Sequence, residues 1–266
     1  YRGFDGLISG DFIEMNARSV KGIINKGGTI LKTARSEEFR TSQGRKKAYQ
    51  NILENNIDGL IVIGGDGTFT GGLVFYNEFK IPIIGIPVTI DNDIFGTSHT
   101  IGYDTALNTV VEVIDKIRDT ASSHNRLFFI EVMGRDAGHI ALSAGIAGGA
   151  DVILIPEIKY STDKIINKLN EMKKRNVKHS LIVVAEAVRK ENGEKVIYKF
   201  KDGQKRLGGI GEYIANEIMT KTDIECRVTA LGHVQRGAPP THNDRILASA
   251  FGVYAVDLLH QKKFEI

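Results

Sequence analysis

The sequence predicts an α/β fold with mostly parallel sheets, and three observations carry that expectation. Leu60-Ile61-Val62-Ile63 and Ile81-Pro82-Ile83-Ile84-Gly85-Ile86 are short, β-branched, apolar runs that stop abruptly at polar residues. That is the pattern of strands buried on both faces. Similar runs recur at Leu127–Val132, Val152–Ile155, Leu181–Ala185 and Arg227–Leu231, separated by stretches with a helical apolar stripe. A strand–helix–strand order returns each strand parallel to the last and puts their polar ends on one edge of the sheet.

Taken in order, residues 22–34 read as a helix end, a Gly27-Gly28 turn and a short strand. From Gly44 to Ile57, Ala48, Ile52 and Leu53 sit among polar residues as an amphipathic helix. A helix is expected after Thr68. Asp104 is placed to N-cap a long helix with Leu107, Val110, Val111, Ile114 and Ile117 inward, ending near Arg118. Small residues at 138–148 form another helix. Ser161 or Thr162 caps a third, with Ile165, Ile166, Leu169 and Met172 inward. Asn192-Gly193 and Asp202-Gly203 flank Val196–Phe200 as a surface hairpin. Helices around Gly211–Thr220 and after Asn243, the latter with Ile246, Leu247, Val253 and Leu258, complete the chain.

The 266 residues suffice for one large α/β domain or two modest lobes. Composition is 42% hydrophobic and 25% charged, with a net charge of +3 and no long basic run, so nucleic-acid binding is not called for. The apolar runs are too short to span a bilayer. The single cysteine, Cys226, leaves no internal disulfide partner and fits a reducing compartment, so a cytoplasmic protein is expected. The chain opens mid-pattern at Tyr1 without a methionine, which reads as a fragment or as a chain whose first strand was removed or not supplied.

Chemistry collects where strands stop. Gly64-Gly65-Asp66-Gly67-Thr68 offers backbone amides that can approach a phosphate closely. A bare Asp66 carboxylate would repel that phosphate, so its presence points to a bridging Mg²⁺. The next run ends in Asp91 and Asp93, two apart and on one side of an extended backbone. Arg135, Glu186 and the pair His233/Arg236 end three further strands. Singly each has a bland reading: a tight turn, a turn acid or N-cap, a surface charge, a structural histidine. Together they suit phosphoryl transfer, which needs positioning, metal and positive charge. Asp91 could take the proton of an attacking hydroxyl, while arginines clamp a phosphate already on the acceptor.

The set Gly64–Thr68, Thr89-Ile90-Asp91-Asn92-Asp93, Met133-Gly134-Arg135 and Leu231–Gly237, with Ile117–His124 and Asn243–Ala248, resembles the 6-phosphofructokinase family of bacterial, ATP-dependent type. The resemblance runs along nearly the whole chain. It implies two Rossmann-like three-layer lobes with a cleft between them: an ATP lobe of 1–102 plus 236–266, and a fructose 6-phosphate lobe of 103–235. It implies phosphoryl transfer from MgATP to the 1-hydroxyl of fructose 6-phosphate, the committing step of glycolysis. Asp91 would be the base, flanked by Thr89 and Asp93. Asp66 would hold Mg²⁺, with Gly65, Gly67, Thr68, Arg35 and Ser36 on the ATP side. Arg135 and Arg35 would steady the transferring phosphate. The sugar phosphate would meet Thr89, Asp91, Arg126, Met133, Gly134, Arg135, Glu186, Arg227, His233 and Arg236. Arg126 and Arg227 would reach across a subunit interface in an allosteric homotetramer, and Arg118, Asp151, Arg175, Lys178 and His179 fall near the family's effector pocket.

Pyrophosphate-using relatives typically carry aspartate at position 67 and lysine at 88. Gly67 and the uncharged Val88 therefore favour ATP, although Val88 is bulkier than the common glycine and could crowd the nucleotide. A pyrophosphate-dependent enzyme and a non-catalytic sugar-phosphate-binding regulatory subunit are the alternatives. A binding-only chain would need neither Asp66 nor Asp91. A lipid or NAD kinase would share the glycine–aspartate loop but has no use for Gly232–Gly237.

Overall fold

The computed structural model describes residues 1–122, 126–177, 179–199 and 205–264. Its elements begin with α1 Phe4–Ser9, α2 Ser42–Glu54, β1 Leu60–Gly64, α3 Asp66–Phe79, β2 Ile83–Pro87 and α4 Tyr103–Ser122. They continue with β3 Leu127–Val132, α5 His139–Ala147, β4 Val152–Leu154, α6 Thr162–Lys174, β5 Ser180–Ala185 and β6 Ile197–Lys199. Last come β7 Lys205–Leu207, α7 Ile210–Lys221, β8 Cys226–Ala230 and α8 His242–His260. Two compact units result. One contains Tyr1–Thr89, Ile94–Gly102 and Ala238–Ile266; the other contains Ile90–Asp93 and Tyr103–Gly237.

In the first unit β1 and β2 run parallel from Leu60↔Ile83 to Gly64↔Pro87, with α3 as the crossover. Ala48 and Ile52 of α2 are fully buried with Leu7, Phe39, Phe75 and Ile83, and the Phe4 and Phe39 rings stack 3.9 Å apart. Leu53 instead lies 52% exposed, because it directly follows Ile52 and successive helical residues are rotated by about 100°. Ala255 and Leu258 of α8 pack on Ile84 and Ile86. That helix starts at His242, ahead of the expected start after Asn243, and its Ile246 and Val253 are exposed.

The second unit holds a four-stranded parallel sheet in the order β4-β5-β3-β8. Every residue of β3 and β5 is buried. Gly145 of α5 packs against Ile153, and Gly211 of α7 packs against Val184. Since Ile153 pairs with Val183, Ile153 and Val184 face opposite sides, and the sheet is covered on both. Glu131 would be an unpaired charge in this core, but its carboxylate accepts the Gly209 and Gly211 amides at 2.8 Å each and so caps α7.

Several expectations need correction. No strand forms within 22–34: the segment is turns and irregular chain with Ile24, Ile30 and Leu31 exposed. Helix α3 starts at Asp66, not after Thr68, so the glycine–aspartate segment is itself a helix start. Asp104 lies inside the first turn of α4, and that helix continues past Arg118 to Ser122. Arg118 turns aside to donate to the carbonyls of Gly148 and Gly149. Strand β4 stops at Leu154, β5 begins at Ser180, and β8 spans Cys226–Ala230. The hairpin forms as β6 and β7, antiparallel from Ile197↔Leu207, with its Asp202-Gly203 turn outside the described residues. Among the described residues no helix is long and apolar enough to cross a membrane.

Candidate active site

The first group of residues forms where β1 turns into α3. Gly65 is the N-cap in extended conformation, and its carbonyl accepts the Thr68 and Phe69 amides at 2.9 and 3.1 Å. The amides of Asp66 and Gly67 are left at the helix tip, where the macrodipole favours an anion. Nothing lies within 4 Å of where a Gly67 Cβ would stand, so the space above the tip is open. Gly64 has no such latitude, because a Cβ there would fall 2.3 Å from Thr68 Oγ1 and 2.8 Å from Thr68 Cβ. Asp66 is exposed at this tip. No group of three or more His, Cys, Asp or Glu side chains poised for a metal occurs among the described residues. A lone carboxylate beside a phosphate cradle fits Mg²⁺, which takes most of its ligands from phosphate oxygens and water.

The Thr89–Asp93 segment starts beside this tip. Thr89 Cβ would be 3.7 Å from a Cβ on Gly65. The Thr89 carbonyl accepts the buried Thr100 hydroxyl at 2.6 Å, closing the loop, and Gly102 donates to Asp244 Oδ1 at 2.9 Å. Val88 donates its amide to the Gly64 carbonyl at 2.9 Å and bridges to Ile101. Its partly buried side chain packs against the cluster of Ile84, Ile86, Ala255 and Leu258. Arg35 is exposed, and Ser36 Oγ accepts the Phe39 amide at 3.2 Å to start the 3-10 turn Glu38–Arg40.

The second group gathers at the carboxyl edge of the four-stranded sheet. Met133, Gly134 and Arg135 follow β3, Glu186 follows β5, and His233 and Arg236 follow β8 on the 3-10 turn Gly232–Arg236. Arg135 has φ +54° and donates its amide to Glu186 Oε1 at 3.0 Å. Gly134 sits at φ +144° with the Ala137 carbonyl 2.6 Å from where a Cβ would stand, a position only glycine fills. Asp91 is buried at 7% exposure, while Asp93, Arg135, His233 and Arg236 are exposed. Burial pushes the Glu186 carboxyl up to about 7; the Arg135 and Gly134 amides pull it back, and the Asp91 and Glu131 carboxylates add to the rise. Asp91 and Glu186 thus sense one another.

Gln235 was not singled out from sequence. Its side chain is 1% exposed, accepts the Met133 amide at 3.2 Å and donates to the Gly232 carbonyl at 3.1 Å, locking the β8 turn onto the end of β3. Its place between His233 and Arg236 in sequence carries no mark of that burial.

Arg126 and Arg227 are not brought to this edge. They lie at the amino ends of β3 and β8, both paired with Glu225, Arg126 Nε at 2.9 Å from its carboxylate. The six residues of β3 separate them from Arg135 by about 20 Å. Asp151 and His179 share the amino edge, where Asp151 Oδ2 accepts the Leu181 amide at 2.8 Å. Arg175 ends α6, and Lys178 lies outside the described residues.

A helix tip with one carboxylate, and a sheet edge bearing two arginines, a histidine and a carboxylate pair, Asp91 raising Glu186, define an α/β protein built to handle phosphate. The chain belongs to the phosphofructokinase family, whose family model matches residues 1–259. It is 49% identical over 256 residues to the ATP-dependent 6-phosphofructokinase of Cytophaga hutchinsonii, covering 96% of this chain and 73% of the relative. To the ATP-dependent 6-phosphofructokinase of Natranaerobius thermophilus it is 51% identical over 259 residues, covering 97% and 75%. Among solved structures, Pichia pastoris phosphofructokinase in the T-state superposes with a TM-score of 0.85 at 35% identity, covering 97% of this chain and 28% of that one. The pyrophosphate-dependent phosphofructokinase of Marinobacter aquaeolei superposes with a TM-score of 0.79 at 21% identity, covering 98% and 66%, a likeness of fold alone.

Proposed function

We propose that this chain is an ATP-dependent 6-phosphofructokinase, transferring the terminal phosphoryl group of ATP to the 1-hydroxyl of fructose 6-phosphate in glycolysis. The observation that carries the proposal is the buried Asp91 carboxylate beside Glu186, at the edge that also bears Arg135, His233 and Arg236. Asp91 takes the proton of the attacking hydroxyl. The Asp66 and Gly67 amides hold nucleotide phosphate at the α3 tip. Mg²⁺, held by Asp66 and the nucleotide, supplies charge neutralisation when bound. Arg135 clamps the phosphorylated acceptor and, with Arg35 from the ATP side, steadies charge on the phosphoryl group as it moves, and Thr89 and Asp93 flank the base. Glu186, His233, Arg236 and the Met133–Gly134 backbone orient the sugar phosphate.

ATP rather than pyrophosphate is supported by the open space at Gly67 and by the names of relatives near 50% identity. Arg126 and Arg227, at the far edge of their own sheet, are assigned to a neighbouring subunit's sugar-phosphate site. Such sharing needs an oligomer, for which we propose a homotetramer, in the cytoplasmic setting of glycolysis. Arg118, Asp151, Arg175, Lys178 and His179 remain the proposed effector set. The deciding assay offers ATP or pyrophosphate with fructose 6-phosphate: turnover with ATP is expected, and turnover with pyrophosphate alone would overturn the donor assignment.

A further inference from the structure

Between β5 and β6 the chain makes a charged excursion that the proposed reaction does not use, and it is anchored at several points. Its turn closes through Lys190 N to the Glu194 carbonyl at 2.9 Å and Gly193 N to the Lys190 carbonyl at 2.8 Å. Arg189 and Lys195 bridge its base. Glu191 Oε1 accepts the Thr162 amide at 2.5 Å, capping α6, whose own Ser161 side chain makes no cap. Lys190 Nζ lies 4.8 Å from the ring centre of Tyr213 on α7. Held this way, Lys195 Nζ donates to Asp136 Oδ1 at 2.5 Å.

Asp136 is the next residue after Arg135, in a turn closed by Ala137 N donating to the Gly134 carbonyl at 3.0 Å. A carboxylate left alone there would offer the Arg135 guanidinium an intramolecular acceptor in competition with a substrate phosphate. The Asp136 carboxyl is held below the usual range chiefly by Lys195, with the Arg135 and Arg189 charges adding to the effect. Those two guanidinium groups are the cations that Asp136 would turn to if Lys195 were absent.

We infer that Lys195 is a positioning residue for acceptor binding: by engaging Asp136 it keeps the Arg135 guanidinium available to the phosphorylated acceptor. This rests on Arg135 being a phosphate clamp, as proposed above. The test is steady-state kinetics with thermal unfolding for Lys195→Met, Lys195→Arg, Asp136→Asn and the double variant K195M/D136N. Lys195→Met should raise KM for fructose 6-phosphate about threefold to fivefold, the size of one partly exposed ion pair. Its KM for ATP should stay within about twofold, and kcat should fall by no more than the acceptor KM rises, since Arg135 meets both the acceptor and the moving phosphoryl group. Lys195→Arg and Asp136→Asn should behave like the wild type, and the double variant should recover the wild-type KM. An unchanged KM in Lys195→Met, or no recovery in the double variant, would overturn the inference. So would a common loss of melting temperature, kcat and both KM values, which marks a purely structural role. Wild-type protein that fails to phosphorylate fructose 6-phosphate would instead remove the proposed function itself.

Discussion

Asp91 is one of two carboxylates in the second unit whose environments differ: it is buried, while Glu186 is only partly so. As general base, Asp91 should be needed for chemistry more than for binding. Asp91→Ser is expected to cut kcat roughly 10²–10⁴-fold with KM for fructose 6-phosphate little changed; an unchanged kcat would end its assignment as base. Glu186 carries a pH signature of its own. Folded, it holds its proton up to about 7, whereas an ordinary glutamate releases it near 4.5. The folded state therefore binds more protons across that window, and stability falls as pH rises through it. Glu186→Gln should lack this decline, a difference on the order of 1–2 kcal/mol once partial exposure is allowed for. Urea unfolding of both proteins below and above the window measures it, and parallel pH dependences would refute it. Asp66, Asp91, Arg135 and Glu186 were legible because each ends an apolar run. Gln235 was not, because a buried amide and an exposed one look alike in sequence.

Strand-to-helix junctions do most of the positioning. Gly64→Ala would drive a Cβ into Thr68 and shift the α3 tip, so KM for ATP should rise more than KM for fructose 6-phosphate; equal effects on both would contradict the assignment of this tip to the donor. In the second unit, Glu131 joins β3 to the start of α7. Replacing it with leucine leaves two helix amides without their acceptor, costing about 1–3 kcal/mol in chemical denaturation. Burial periodicity identified α2, α4 and α6, and the all-buried runs of β3 and β5 were visible as unbroken apolar stretches. The expected strand within 22–34 failed because its apolar residues, Ile24, Ile30 and Leu31, stay exposed and bury no surface that would reward extension. The start of α3 was misplaced because Gly-Asp-Gly looks like a loop, although Asp66 and the open helix tip favour one another.

Across the whole molecule, Arg126 and Arg227 sit about 20 Å along β3 from Arg135, too far to share one chain's site. If subunits exchange these arginines, an Asp91→Ser chain and an Arg227→Ala chain, each nearly inactive alone, should regain activity when co-refolded into mixed oligomers. No recovery would show that every site is built within one chain. The exposed apolar side chains of Ile246, Val253, Tyr254 and Val256 on α8 count separately: they make that helix more apolar outside than the first unit's own core requires.

By itself the sequence determined the α/β class, the strands that matter and the residues at their ends, because burial and chain reversal leave periodic and compositional marks within a few residues. The tertiary structure alone decided which ends meet. It packed the partly buried Val88 against the β2–α8 cluster, put Arg126 and Arg227 at the opposite sheet edge from Arg135, and set Lys195 against Asp136. Each of those outcomes depends on register or on a contact between distant segments, and no local pattern encodes either.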